Sequence, residues 1–336
     1  MLIAGDIGGT KTDLAIFSVE AGPHTPLAQE TVRSADYPSL QAMVKEFLGK
    51  VNMPVDRACF DVAGLVMGGR VKTTNLPWIV EETALAKELN LSLQAVHLMN
   101  DLEAIARAIP ILRPSDLKTL NAGHPIPKGA IGVVAPGTGL GESFLTWDGA
   151  RYVAHNSEGG HSDFAPTDRR QLRLLQYLLP KLDHVSFELV CSGIGIPNIY
   201  EYLRDVEQIP ENPVVAEKVA AAADRSVVII NAAFDQATPS KLCETTIEVF
   251  ASVLAGEAGN IALKVLSTGG IYLGGGVVVH TLPMLERPLF MKYFKRKGRF
   301  AELLERIPIH VITTRAALVG IADYALASAM RTAATV

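Results

Sequence analysis

Gly5-Asp6-Ile7-Gly8-Gly9-Thr10-Lys11 interrupts an apolar run with an acid, two glycines, a hydroxyl and an amine. Paired glycines at a turn let backbone N–H groups close on a phosphate as an anion nest, and Thr10 can add a hydroxyl donor. Asp6 cannot face a phosphate itself, but a carboxylate can hold Mg2+ or its waters. Gly137-Thr138-Gly139-Leu140-Gly141 repeats the arrangement at the other end of a second apolar run. Neither stretch has the G-x-x-x-x-G-K-[ST] spacing of a P-loop, nor G-x-G-x-x-G between a strand and a helix. Each therefore reads as a glycine hairpin, either a plain turn or a phosphate cradle.

Other residue groups offer different chemistry. Asn100 and Asp101 end the apolar run Ala95–Met99, the place where open α/β sheets build sites. Asp101 can cap a helix beginning at Leu102, act as a general base, or both. His155, Glu158, His161 and Asp163 gather around two glycines in HNSEGGHSD, with no familiar metal-ligand spacing. Glu158 and His161 can bracket a polyhydroxylated ligand, or belong to a solvated loop. Glu188 follows Ser186 in what reads as a first helical turn, which suits a surface carboxylate. Gly274, Gly275 and Gly276 leave backbone bare, as a sharp turn or a bed for a flat ring requires.

The bulk properties narrow the class. A chain of 336 residues with 49% hydrophobic and 20% charged residues can build about two cores. Net charge is −4, and the basic residues cluster only at Lys292, Lys295, Arg296, Lys297 and Arg299. That is too narrow for a nucleic-acid face, so no nucleic-acid partner is expected. Cys59, Cys191 and Cys243 show no C-x-x-C spacing, which fits a reducing compartment. No signal-peptide pattern and no run of eighteen apolar residues occurs, so the expectation is a cytoplasmic chain with no membrane partner.

Alternating strand and helix patterns must position these groups. A hairpin is expected over 2–5 and 12–19, helices over 38–51, 80–90 and 102–112, and strands over 57–66 and 95–101. Pro38 and Ser39 suit the first turn of their helix. Residues 113–129, rich in Pro and Gly, read as a linker. Residues 130–149 then repeat the opening hairpin, a weak internal duplication with a period of roughly 130 residues. Beyond it the periodicity predicts helices over 169–182, 186–192, 213–235 and 240–266, a strand over 269–279, and a closing strand and helix.

In order, GDIGGT, MND, APGTGLG, SEGGH, SFE and LGGGVV resemble the motifs of the sugar kinases of the actin–hexokinase superfamily, and most closely the bacterial ATP-dependent glucokinases. ADYPSL (35–40), GHSDFAP (160–166) and KGRF (297–300) look like further signatures of that family, so nearly the whole chain is covered. The resemblance implies an α/β, two-domain, actin-like and ribonuclease H-like duplicated fold with a central cleft. The small domain would hold 1–112 plus a C-terminal helix of about 314–332, and the large domain 113–313. It assigns Gly5, Asp6, Ile7, Gly8, Gly9, Thr10, Gly137, Thr138 and Gly139 to ATP phosphates, and Gly274, Gly275 and Gly276 to adenosine. Asn100, Asp101, Glu158, His161 and Glu188 match sugar-binding positions, Asp101 as the catalytic base, and Asp6 would hold Mg2+ indirectly. Partners would be glucose, MgATP and a second copy in a homodimer.

Two departures stand out. Lys11 occupies a position where this family commonly carries Asn, and GGTKT is typical of the related repressor/kinase (ROK) group. That group, however, carries a cysteine-rich zinc motif after its E-x-G-H segment, and SEGGHSDFAP is followed by none. The implied reaction is phosphorylation of the glucose 6-hydroxyl. Two alternatives stay open: a kinase for another hexose or an amino sugar, or a sugar-sensing protein with little catalysis.

Overall fold

The computed structural model describes residues 1–333 apart from 65, 74 and 75, with side chains described as far as Ala327. The chain divides into two compact units: residues 1–112 with the chain from Thr314 onward, and Arg113–Thr313.

The first unit is built on β1 (Leu2–Ile7), β2 (Lys11–Phe17), β3 (Ala28–Arg33), β4 (Arg57–Val62) and β7 (Val96–Asn100), in the order β3-β2-β1-β4-β7. β1, β2 and β3 form an antiparallel meander, and β4 and β7 run parallel to β1. Successive side chains of a strand point to opposite faces, and here both faces are buried. Ile3, Leu14, Ile16 and Phe60 pack with Leu40, Met43 and Val44 of α1 (Leu40–Val51) and Leu85 of α2 (Glu82–Leu89). Leu2, Ala4, Ala15 and Phe17 pack instead with Ala104 of α3 (Asp101–Ala108) and with Leu318, Ile321 and Ala322 of the last helix, α12 (Ala316–Ala333). A small ribbon, β5 (Arg70–Lys72) with β6 (Ile79–Glu81), completes the unit.

The second unit repeats this plan. β9 (Ile131–Pro136), β10 (Leu140–Trp147) and β11 (Tyr152–Ser157) form the meander, and β12 (Gly270–Leu273) and β13 (Ile309–Ile312) run parallel to β9. The two sheets thus share one strand order, which makes the duplication explicit. The second sheet adds an edge strand, β8 (Leu117–Asn121), antiparallel to β13. β8 lies inside the stretch expected to be a linker. No residue of this edge strand is fully buried, so few apolar residues announce it. Helices α4 (Arg169–Leu178), α5 (Gly195–Asp205), α6 (Pro213–Ala221) and α7 (Arg225–Phe234) gather around α8 (Lys241–Lys264), with α9 (Gly276–Leu285), α10 (Pro288–Phe294) and α11 (Ala301–Glu305). α8 is apolar and long enough to cross a membrane, but eighteen of its residues are buried in this core.

Several element boundaries differ from the sequence reading. Ser39 is the N-cap of α1, accepting the Ala42 N–H at 3.2 Å, so Pro38 and Ser39 lie before the first turn. The strand expected over 57–66 ends at Val62, and β6 takes the start of the helix expected over 80–90. Residues 186–192 hold only a short 3-10 turn, Glu188–Val190. The segment 213–235 splits into α6 and α7 because Asp224 caps a new helix, accepting from Ser226 and Val227 N–H groups. α5 had no expected counterpart. The valines after Gly276 belong to α9, whereas β12 stops at Leu273.

Candidate functional site

Within the first unit, the strand register converges the acids. Asp6 of β1 stands opposite Asp13 of β2 and Asp61 of β4. Asn100 and Asp101 fall where β7 ends and α3 begins. The helix N-cap is Asn100, not Asp101: Asn100 Oδ1 accepts the Leu102 N–H at 2.9 Å. Its amide nitrogen donates to the Gly64 carbonyl at 3.2 Å, leaving one amide hydrogen for a ligand. Asp101 Oδ1 accepts the same Leu102 N–H at 2.9 Å. The first glycine turn is braced from behind. Gly8 N–H donates to the Lys11 carbonyl at 3.1 Å, and the buried Ser34 hydroxyl donates to the Gly8 carbonyl at 2.7 Å. Thr10 and Lys11 are exposed at its tip.

Asp61 was not foreseen as a site residue. It is fully buried and accepts the Ile7 N–H at 3.3 Å. Burial, followed by the charges of Asp6 and Asp101, pushes its carboxyl well above the ordinary 3.8. A raised carboxyl favours the neutral form, and a proton on Asp61 would satisfy its buried Oδ2, which has no hydrogen-bond partner among the described residues, by donation towards Asp6. Burial also pushes Asp6 up to about 6, against the lowering effect of that hydrogen bond. The result is an oxygen-rich, anionic end of β1, with Asp13 and Asp101 contributing charge and Arg315 partly offsetting it. Hard oxygen donors of this kind fit Mg2+ or its waters. No preformed cage of three or more His, Cys, Asp or Glu occurs among the described residues.

Within the second unit, Glu158, His161 and Glu188 come together. His161 Nε2 lies 3.9 Å from Glu158 Oε2, and its Nδ1 lies 3.9 Å from Glu188 Oε1. Glu158 and His161 are 81% and 61% exposed, open to a ligand, whereas Glu188 is only 20% exposed. Glu188 is thus no ordinary surface carboxylate, and its Oε2 accepts the Leu140 N–H at 3.0 Å, at the base of the second glycine turn. His155 and Asp163 stand apart from this trio. His155 pairs with Thr146 at 2.8 Å, and Asp163 with His184 at 2.8 Å.

The second glycine turn is fixed through its carbonyls. Gly193 N–H donates to Gly137 O at 2.8 Å and Ile194 N–H to Thr138 O at 3.1 Å, leaving Thr138 exposed at the tip. Gly275 sits beside it, because β9 and β12 are neighbours. Its φ is +85° and a Cβ would overlap the Pro136 carbonyl, so glycine is required there. Gly276 opens α9 with clear space above it. In the basic cluster, Lys297 turns inward to Gly256 O at 2.9 Å, and Lys295 pairs with Glu305 at 2.8 Å.

A duplicated pair of meander-plus-parallel sheets, each headed by a glycine hairpin, is the actin-like α/β fold that sugar kinases share. The comparisons agree. A solved glucokinase from an Antarctic psychrotroph superposes with a TM-score of 0.80 at 29% identity, over 96% of this chain and 98% of that one. A glucokinase from Balamuthia mandrillaris, solved with glucose, shares the fold at a TM-score of 0.78 and 22% identity, over 97% and 93% of the two chains. The glucokinase of Nostoc punctiforme is 41% identical over 325 residues, 93% of this chain and 94% of its own length. The glucokinase family model matches residues 3–328, and the chain belongs to the glucokinase family.

Proposed function

We propose that this chain transfers the γ-phosphoryl group of ATP to the 6-hydroxyl of glucose. The observation that carries the reading is the position of Asp101. It heads α3 at the end of β7, near enough to Asp6 of the first glycine hairpin for their charges to interact. Asp101 would accept the hydroxyl proton as the oxygen attacks phosphorus. A positioned base typically contributes about 10²–10⁴-fold. A carboxylate is a weak base at neutral pH, so alignment and charge neutralisation must supply most of the acceleration. Thr10, Thr138 and the backbone N–H groups of the two glycine turns would hold the phosphates. Asp6 would hold Mg2+ through its waters, and the ion would offset charge on the triphosphate.

Glu158, His161, Glu188 and the second amide hydrogen of Asn100 would fix the sugar hydroxyls. Such a site leaves its own polar groups unpaired when a sugar lacks a hydroxyl, which is how it discriminates. Gly274–Gly276 would lie against the adenine ring. Membership of the glucokinase family supports glucose and ATP as the pair. The proposal extends to a cytoplasmic homodimer, the second part of which sedimentation analysis tests. For the activity itself, ADP release is measured with MgATP against glucose, mannose, fructose, glucosamine and N-acetylated sugars, with a no-sugar control. Turnover confined to glucose is expected. Turnover on another sugar reassigns the trio around His161, and its absence with every sugar overturns the reading.

A further inference from the structure

Behind the sugar-binding trio lies a buried acid that the proposed reaction does not use. Glu142 of β10 is 1% exposed, and neither carboxylate oxygen has a donor among the described residues. The group it faces is another carboxylate, Glu257 of α8, which is fully buried. Two ionised carboxylates facing each other out of water repel, and Glu142 Oε1 and Oε2 and Glu257 Oε1 have no hydrogen-bond partner among the described residues. One proton held between them converts the repulsion into a hydrogen bond.

The remaining neighbours make a continuous polar chain. Asn260 Nδ2 donates to Glu257 Oε2 at 2.7 Å, and Lys297 Nζ donates to Asn260 Oδ1 at 2.5 Å. Lys264 Nζ lies 3.5 Å from Glu257 Oε1. The Cys191 thiol feels the field of both acids. On its open side Glu142 abuts Gly159, where a Cβ would overlap the carboxylate. Gly159 follows Glu158 directly and precedes His161 by two residues. Glu142 also lies two residues beyond Leu140, whose N–H is held by Glu188.

We propose that Glu142 and Glu257 share one proton, and that this pair is a positioning device seating the Glu158–His161 turn against the strand leaving the second glycine hairpin. The chain Lys297–Asn260–Glu257–Glu142 then connects the KGRF segment to the sugar-binding turn through the core helix α8. Loss of the shared proton would leave two charges under Gly159 and displace the turn. Burial, with the Glu257 charge behind it, raises the Glu142 carboxyl to about 8, in keeping with this arrangement. The positioning half of the proposal rests on the sugar-kinase reading, whereas the proton-sharing half does not.

Glu142→Gln keeps the shape and a donor without an ionisable proton, and Glu142→Ala removes both. Melting temperature is recorded from pH 5 to pH 9 for parent and variants, alongside glucose KM, MgATP KM and kcat. A carboxyl raised from 4.5 to about 8 makes the folded parent bind more protons than its unfolded chain, so parent stability falls as pH rises through that window. Glu142→Gln escapes this fall, so its melting temperature should gain on the parent steadily towards pH 8. Its glucose KM at pH 7 should stay within about twofold, and the alkaline decline of kcat/KM should move up by about one unit. Glu142→Ala should raise glucose KM about tenfold with kcat within about threefold. A melting difference that is flat with pH overturns proton sharing, even if the parent turns over no sugar. A pH-dependent melting difference with an unchanged glucose KM in the Ala variant overturns positioning. If the Ala variant does not fold, the alkaline limb of Glu142→Gln decides: an unmoved limb overturns positioning and a shifted one supports it.

Discussion

Glu188 bridges the second glycine turn and His161 with the two oxygens of one carboxylate. Oε2 accepts the Leu140 N–H at 3.0 Å, and Oε1 lies 3.9 Å from His161 Nδ1. A residue so placed couples the geometry of the turn to that of His161. Glu188→Gln retains one acceptor for Leu140 but removes the charge beside His161. Glucose KM should rise about tenfold while the melting temperature stays near that of the parent. Glu188→Ala also strips the Leu140 N–H of its partner, which costs about 1–3 kcal/mol of stability when the donor stays buried. Steady-state kinetics and thermal melting separate these effects, and an unaltered glucose KM in both variants would reduce Glu188 to a structural brace.

Asp101 faces a sharper test, because the proposed role is chemical. Asp101→Ala should lower turnover by at least about 10²-fold, the lower limit for a positioned base. Glucose affinity by calorimetry should change by less than about tenfold. Because Asp101 shares the Leu102 N–H with Asn100, the cap survives and α3 should stay folded. Turnover that persists in Asp101→Ala would move the base to another group.

The legible parts of the molecule are those where local pattern and long-range packing agree. Leu14, Ala15, Ile16 and Phe17 form an unbroken apolar run, as a strand buried on both faces requires, and go to alternate faces of the first sheet. Asn100 and Asp101 stand at a strand end in both sequence and structure. Gly274–Gly276 misled the element reading, because glycine carries no side-chain pattern to separate a strand from a helix start. β8 was hidden by its edge position. Asp61, Ser34 and Glu142 acquire their importance only from cross-strand and helix–strand contacts far along the chain. Asp61 and Glu142 did leave one trace, an acid inside an apolar strand.

Asn100 has two duties, and substitution should divide them. As N-cap it contributes about 0.5–2 kcal/mol to stability through Leu102. Asn100→Asp keeps the cap oxygen and loses the amide hydrogens, one of which bonds Gly64 and the other of which would meet the sugar. Asn100→Asp should therefore melt close to the parent, with glucose KM raised several-fold. Asn100→Ala should lose stability as well as affinity. Equal melting temperatures for the Ala variant and the parent would show that Asp101 alone suffices as the cap.

Glu207 should contribute to the acid limb of stability in the second unit. Arg170 Nε donates to its Oε1 and Oε2 at 3.2 and 3.1 Å, and the Tyr202 hydroxyl donates to Oε1 at 2.8 Å. These bonds tie α4 to α5 and the residues that follow it. Burial pushes the Glu207 carboxyl up, and the hydrogen bonds from Arg170 and Tyr202 more than reverse this, leaving it below the ordinary 4.5. A depressed folded value means that the unfolded chain takes up the proton first as pH falls. The stabilisation is therefore complete above about pH 5 and is lost progressively below 4.5. Glu207→Gln removes that contribution at every pH. The parent should melt above Glu207→Gln at pH 7, and the gap should narrow as pH falls from 5 towards 3. A gap that stays constant over this range would mean that Glu207 acts through shape and neutral hydrogen bonding, with its charge contributing nothing to the link between α4 and α5.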